Sequence, residues 1–290
     1  MGELFDQLNE IGVAHEESRE VFSIGTRDND QVTVHRDRRS GVIYIDNHYV
    51  GEEQYESGLY REEKLVHSEK PDLERRSDCA RRIGDYRQLI AGRDVLDFGC
   101  GEGDFVTEAQ HLAKRIVGVE LQEDVREALN RSGILCLKDL DNLDASSLDT
   151  VFAFHVIEHL PRPLPTLSKL SSALRADGAA VVEVPHANDF LLATLRNEAF
   201  KKFTLWSQHL VLHTRDSLTR LMRAAGFSSV VVQGKQRYPL SNHLGWIRDG
   251  RPGGHKGQLS AINTEALRKA YEQSLQMIDQ TDTLVAIATR

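Results

Sequence analysis

The chain has 290 residues, 40% hydrophobic and 28% charged, enough for one large α/β domain with appendages or for two small domains. A net charge of −8, with no long run of Lys or Arg, argues against a nucleic-acid partner. The three cysteines (Cys79, Cys100, Cys136) lack metal-ligand spacing, the N-terminus has no apolar signal core, and no stretch approaches the roughly 18 consecutive apolar residues of a membrane span, so a cytoplasmic protein with reduced thiols is expected.

Residues 1–50 carry three short strand patterns at 21–24, 32–34 and 41–45, separated by polar turns at 27–30 and 37–40. A β-meander this small needs a larger domain to pack on. Residues 51–91 read as a helical lead-in or lid. One helix is expected over 52–68, and a second begins at Pro71 and runs to about residue 90. Tyr55 and Tyr60 fall in this lid, where aromatics are more often packing than chemistry.

The main domain, 92–290, opens on Val95-Leu96-Asp97-Phe98-Gly99-Cys100-Gly101-Glu102-Gly103-Asp104-Phe105. An apolar run stops at three alternating glycines, and an amphipathic stretch follows over 105–114. That is a buried strand, a tight turn and a helix start, the first unit of a doubly wound α/β fold. Glycines here let backbone approach a ligand, with amide N–H groups and a helix N-terminus facing it. A dinucleotide fingerprint starting at Gly99 needs glycine at position 104, where Asp104 stands; this opposes a nicotinamide dehydrogenase. Strand two, 115–119, ends at Glu120 followed by Leu121, where ribose hydroxyls would lie. A carboxylate accepts two hydroxyl hydrogen bonds at once; the plain alternative is a solvated charge.

A helix over 123–131, closed by Gly133, leads to strand three at 134–137 and then to Lys138, Asp139 and Leu140. Strand four, 147–154, runs into His155-Val156-Ile157-Glu158-His159-Leu160-Pro161. Strands one and four flank the switch point of a doubly wound sheet, which puts this tract at the ligand crevice. An inverted metalloprotease motif would need His-x-x-Glu-His on a helix, whereas this tract follows a strand and meets Pro161, Pro163 and Pro165.

A helix over 164–175 and strand five at 179–184 bring His186 to the acceptor side of the crevice. Residues 187–213 form an insertion in which aromatic and polar groups mix, as in a specificity pocket or a packing insertion. After a helix over 217–225 and strand six at 227–232, the last strand comes only at 283–288. The intervening 235–282 holds Arg237, Asn242, His243, Trp246, Arg251 and His255. These suit sugar hydroxyls, ring stacking and a phosphate; equally, the segment is an ordered surface or dimer loop, which leaves a homodimer open.

The Asp97-Phe98-Gly99-Cys100-Gly101-Glu102-Gly103 segment resembles the cofactor loop of class I S-adenosylmethionine-dependent methyltransferases. The tract at 155–160 resembles the His-x-x-Glu-His-Leu of members acting on quinone precursors, sugars and other small molecules. The resemblance covers about residues 85–234. It implies a seven-stranded Rossmann-like methyltransferase fold, its last strand antiparallel, carrying the N-terminal β-module and the C-terminal insertion. It also implies S-adenosyl-L-methionine as cofactor, lined by Asp97, Gly99, Gly101, Glu120 and Leu121. Asp139 would hold the adenine amino group, the Leu140 amide a ring nitrogen, and His155 would lie along the cofactor. Relatives with a tyrosine over the active site make Tyr60 a candidate.

The N-terminal module is similar to the zinc-ribbon-like modules of sugar-directed methyltransferases, but the first cysteine is Cys79, so no zinc is expected there. Methyl transfer requires no metal, the sequence shows no tidy metal-ligand cluster, and none is expected elsewhere. The loop and C-terminal insert look like methyltransferases of bacterial surface-polysaccharide and deoxysugar pathways, which implies a small-molecule or saccharide acceptor. A hydroxyl acceptor must lose its proton to a base with a pKa near neutrality. His159 or His186 is the expected base, with Glu158 orienting a histidine. The rival from another class is a non-catalytic cofactor-binding module or regulator.

Overall fold

Parallel strands are covered on both faces and must be apolar nearly throughout, a rule that the runs at Val95, Ile116 and Val151 obey. The computed structural model describes residues 2–49, 51, 56 and 71–290. The expected helix over 52–68, with Tyr55 and Tyr60, therefore lies outside the described residues apart from Glu56. The strands in chain order are β1 (Arg19–Ile24), β2 (Thr33–Asp37), β3 (Ile43–Ile45), β4 (Asp94–Phe98), β5 (Arg115–Val119) and β6 (Leu135–Leu137). They continue with β7 (Leu148–Phe154), β8 (Leu174–Pro185), β9 (Val211–Leu212), β10 (Ser229–Lys235) and β11 (Thr283–Thr289).

Seven strands form one sheet in the order β10-β11-β8-β7-β4-β5-β6. The five from β8 to β6 run parallel, and β11 lies antiparallel between β8 and β10. This is the doubly wound fold that the motif spacing implied, with its late last strand. Chain order reverses between β4 and β7, so the C-terminal ends of β7, β4, β5 and β6 line one edge around the switch point. The fifth parallel strand begins at Leu174 rather than residue 179. Leu174 is wholly buried and pairs with Leu148, and a register shift absorbs the bend that follows.

The N-terminal meander is larger than its own sequence implied. A fourth strand, β9 from the insertion at 187–213, pairs with β3. The helix Glu3–Glu10, unexpected from the sequence, lays Leu4, Phe5 and Leu8 against Val42, Tyr44, Leu210 and Val211. The insertion is therefore partly a strap that fastens the meander to the main domain. No helix among the described residues is long and apolar enough to cross a membrane.

Beneath the glycine turn, Phe152 and Phe154 point to the same face of β7, stack at 5.3 Å, and each meets the edge of Phe105 at 5.0 Å. Tyr86 closes this cluster 5.7 Å from Phe152. It fixes the short helix Asp104–Ala109 on the sheet and so sets the height of the turn. Phe152→Ala should cost about 3–5 kcal/mol in urea denaturation; a loss under about 1 kcal/mol would show that the cluster does not hold the turn.

Candidate active site at the switch point

The turn after β4 is built from left-handed backbone: φ is +71° at Gly99, +60° at Gly101 and +83° at Gly103. A Cβ on Gly99 would stand 2.6 Å from Val156 Cγ2, and one on Gly103 2.5 Å from Leu129 Cδ2. Glycine is thus required twice over, by conformation and by space. The amides were expected to face a ligand, but they are largely used within the fold. Gly99 and Cys100 donate to the Val119 carbonyl at 2.9 and 3.0 Å, and Gly103 donates to the Cys100 carbonyl at 3.0 Å. Gly101 donates to Glu120 Oε2 at 2.9 Å. Such a turn offers close backbone approach rather than an anion cradle, which suits a nucleoside without phosphates.

Glu120 is nearly buried at the tip of β5, where Oε1 also accepts the Gln122 amide at 3.1 Å. A carboxylate has about four acceptor sites, enough to brace the turn and accept ribose hydroxyls. Leu121 beside it is half-buried, and its carbonyl accepts from Arg126. Beyond β6, Asp139 is exposed, with Oδ1 accepting the Asp141 amide at 2.9 Å, while Leu140 is buried. Asp97 is buried in β4; burial pushes its carboxyl up to about 7, with Arg82 opposing and Glu120 adding to the rise. The parallel sheet thus brings Asp97, the glycines, Glu120, Asp139, Leu140 and His155 to one edge.

The tip of β7 holds the densest chemistry. His155 takes φ +54°, a conformation that histidine tolerates better than most residues, and its amide donates to the Glu183 carbonyl at 2.8 Å. Its Nδ1 lies 3.2 Å from Glu158 Oε1, and its Nε2 lies 3.0 Å from Arg237 Nη1. A guanidinium nitrogen can only donate, so Nε2 carries the lone pair and Nδ1–H points to Glu158. Glu183 Oε1 lies 3.3 Å from the same Nε2, but its hydrogen bonds come from Arg81 Nη2 at 2.9 and 3.0 Å and Arg82 Nη2 at 2.7 Å. Burial opposes ionisation of Glu158, and the His155 hydrogen bond and nearby His159 still hold it below the ordinary carboxylate range.

The sequence reading missed Arg75, Asp78, Arg81 and Arg82, all on the helix Pro71–Asp85 that roofs this edge. Arg75 grips Asp104 at 2.7 Å and also pairs with Glu102 of the glycine turn. Asp78 pairs with Arg237; burial opposes its ionisation, but the Arg237 guanidinium holds it down at about 2. Arg75, Asp78 and Arg82 stand at i, i+3 and i+7, a charged stripe that the sequence displays without saying what it faces. Arg237 is aimed by its own backbone. Half-buried Asp282 accepts the Arg237 and Tyr238 amides at 3.0 Å and Gln236 Nε2 at 2.8 Å, tying both ends of the long insertion together.

Other expected residues lie elsewhere. His186 is wholly buried; its Nδ1 bonds the Thr281 carbonyl at 2.9 Å, and burial lowers its pKa to about 4. It packs under the hairpin of β10 and β11 and presents no accessible nitrogen to an acceptor. His159 stands against Trp206 and His209, with Nδ1 2.8 Å from the Gln208 carbonyl. In the long insertion, Trp246 is buried against Phe200 and Phe203 and offers no stacking face for a sugar. Asn242 is likewise buried, accepting from Gly253 N at 3.3 Å and lying 3.0 Å from His255.

A left-handed glycine turn, an acidic second strand tip and a crevice at the switch point define a Rossmann-like nucleoside-binding enzyme fold. The chain belongs to the methyltransferase family: the family model described as a methyltransferase domain matches residues 72–232. It is 34% identical over 155 residues to a probable S-adenosylmethionine-dependent methyltransferase of Mycolicibacterium smegmatis, covering 49% of this chain and 56% of that protein, little more than half its length. It is 30% identical over 212 residues to a probable S-adenosylmethionine-dependent methyltransferase of Mycobacterium tuberculosis, covering 68% of this chain and 70% of that one. A solved S-adenosylmethionine-dependent methyltransferase of Archaeoglobus fulgidus shares the fold with a TM-score of 0.53 at 20% identity, covering 80% of this chain and 99% of that one. So does the 1,6-didemethyltoxoflavin-N1-methyltransferase of Burkholderia thailandensis, with a TM-score of 0.52 at 15% identity, covering 88% and 96%. The chain thus belongs with the S-adenosylmethionine-dependent methyltransferases, whose cofactor is S-adenosylmethionine.

Asp97 provides a test of the site in solution. Its folded-state pKa of about 7 lies above its ordinary value of 3.8, so the unfolded chain binds fewer protons across that window. Its contribution to stability therefore falls as pH rises through that range. Asp97→Asn should gain stability relative to wild type between pH 4 and about pH 7, measured by denaturant unfolding at each pH. A constant difference between the two proteins would mean that Asp97 does not titrate there.

Proposed function

We propose that this methyltransferase acts on a hydroxyl of a small polar molecule, with a saccharide of glycan or surface-polysaccharide biosynthesis as the favoured acceptor. The observation that carries this reading is His155, an imidazole held against the buried carboxylate of Glu158 at the switch point. Around it stand donors and acceptors of both signs, Arg237, Asp78 and Glu183, which match an acceptor rich in hydroxyls. The insertion adds no exposed aromatic platform at Trp246, so recognition rests on these charged groups. The chain's charge of −8 disfavours a nucleic-acid acceptor.

When bound, S-adenosylmethionine supplies an electrophilic methyl carbon on a sulfonium. The protein has to hold the acceptor oxygen in line with that carbon and remove its proton. We assign the proton acceptor to His155 Nε2, in place of the expected His159 or His186. The acceptor hydroxyl takes the position that Arg237 Nη1 occupies at Nε2, while Arg237 stays anchored to Asp78. Proton transfer makes an imidazolium, and Glu158, already bonded to Nδ1, stabilises the new charge. Glu183 stays ionised between Arg81 and Arg82 and keeps the wall of the site polar.

His155→Gln should lower kcat by about 10²–10⁴-fold, read as S-adenosylhomocysteine release with a panel of nucleotide sugars and glycans. Its affinity for S-adenosylmethionine should change only a few-fold. Full turnover by this variant would remove His155 from the chemistry. Cofactor binding by the wild type without turnover on any acceptor would favour the non-catalytic module.

A further inference from the structure

Glu158 is completely buried, and while Oε1 faces His155, Oε2 has no hydrogen-bond partner. A buried carboxylate oxygen without a donor is costly. Besides His155, two further imidazoles lie close to this carboxylate. One ligand atom each from Glu158, His159 and His209 lies within 4.8 Å of the others. The two rings stand edge to face at 4.9 Å, with Trp206 packed on both at 5.7 and 5.1 Å.

The surrounding backbone holds this group in place. The Leu210 amide donates to the Glu158 carbonyl at 2.8 Å, and the His209 amide donates to the Trp206 carbonyl at 2.9 Å. Because a carbonyl only accepts, the contact of His159 Nδ1 with Gln208 O at 2.8 Å places the proton on Nδ1 and the lone pair on Nε2. Metal-ligating histidines are oriented in just this manner by an outer carbonyl.

We propose that Glu158, His159 and His209 bind a divalent transition ion of the zinc class. Two imidazoles and one carboxylate are the donor set such an ion prefers, and three protein ligands leave a fourth position for water or an acceptor oxygen. Tetrahedral bonds of about 2.0–2.1 Å set ligand atoms about 3.4 Å apart, so side-chain rotation alone can close a group now within 4.8 Å. The ion satisfies Oε2 and lies one carboxylate away from His155. The expectation of a metal-free protein rested on local spacing, and His209 enters only through the folded insertion. This inference rests on the three side chains and goes beyond the acceptor reading.

The full chain, stripped with a chelator, is titrated with Zn²⁺ and with Co²⁺, and its S-adenosylhomocysteine affinity is measured alongside. One Zn²⁺ per chain is expected, with intense visible Co²⁺ bands of low coordination number. His159→Gln and His209→Gln should each weaken Zn²⁺ binding by at least about 10-fold, with the thermal midpoint and S-adenosylhomocysteine affinity of His209→Gln nearly unchanged. Zn²⁺ uptake by the wild type equal to that of the H159Q/H209Q double variant, or a Co²⁺ spectrum identical to the aquo ion, overturns the proposal. Cofactor affinity is read independently, so loss of the metal site and loss of the methyltransferase reading are distinguishable.

Discussion

A carboxylate with no access to water must be paired or neutralised, and Glu183 at the end of β8 is such a group. Burial alone would raise its pKa, but the His155 imidazole beside it and the Arg82 and Arg81 guanidiniums hold it well below the ordinary range. Both arginines come from the helix Pro71–Asp85, so this one requirement fastens the roof to the sheet. The other charged contacts of that helix follow from it. Arg75 then reaches the glycine turn and Asp78 reaches Arg237 of the long insertion. Cofactor turn, strand tips and insertion are drawn together by one helix face.

The two insertions do different physical work. The one at 187–213 contributes β9 to the N-terminal sheet and buries Leu210 and Val211 under the first helix. Its turn at 206–209 then lands beside Glu158 and His159. The insertion after β10 is cinched at its base by Asp282, whose carboxylate accepts two backbone amides and so fixes the direction of Arg237. Fold and site are therefore coupled. Unfastening the N-terminal module disturbs His209, and loosening the hairpin base disturbs the partner of His155.

The parts of this arrangement legible in the sequence were those governed by local chemistry. Three glycines at alternate positions can hardly be anything but a left-handed turn, and Glu120 follows at the distance the fold demands. The late strand at 283–288 was legible from its own apolar run, and its antiparallel place beside β10 from the family resemblance. Three features were hidden for a common reason, since each depends on contacts between residues far apart in the chain. Nothing in the local sequence marks Arg81 and Arg82, because Glu183, which they pair with, lies about a hundred residues further along the chain. Trp246 and Asn242 looked like sugar-binding groups until packing turned them inward. His186 sits at a strand tip as expected, yet the hairpin bonds Thr281 to it and removes it from the crevice.

The most direct measurement is a crystal structure of the protein with S-adenosylhomocysteine. The nucleoside should lie across the tips of β5 and β6, with its ribose at Glu120 and its adenine near Asp139 and Leu140. Its sulfur should face His155 beneath Arg237. A nucleoside bound at that edge with its sulfur directed away from His155, or bound elsewhere on the fold, would contradict the assignment of the reaction to this cluster.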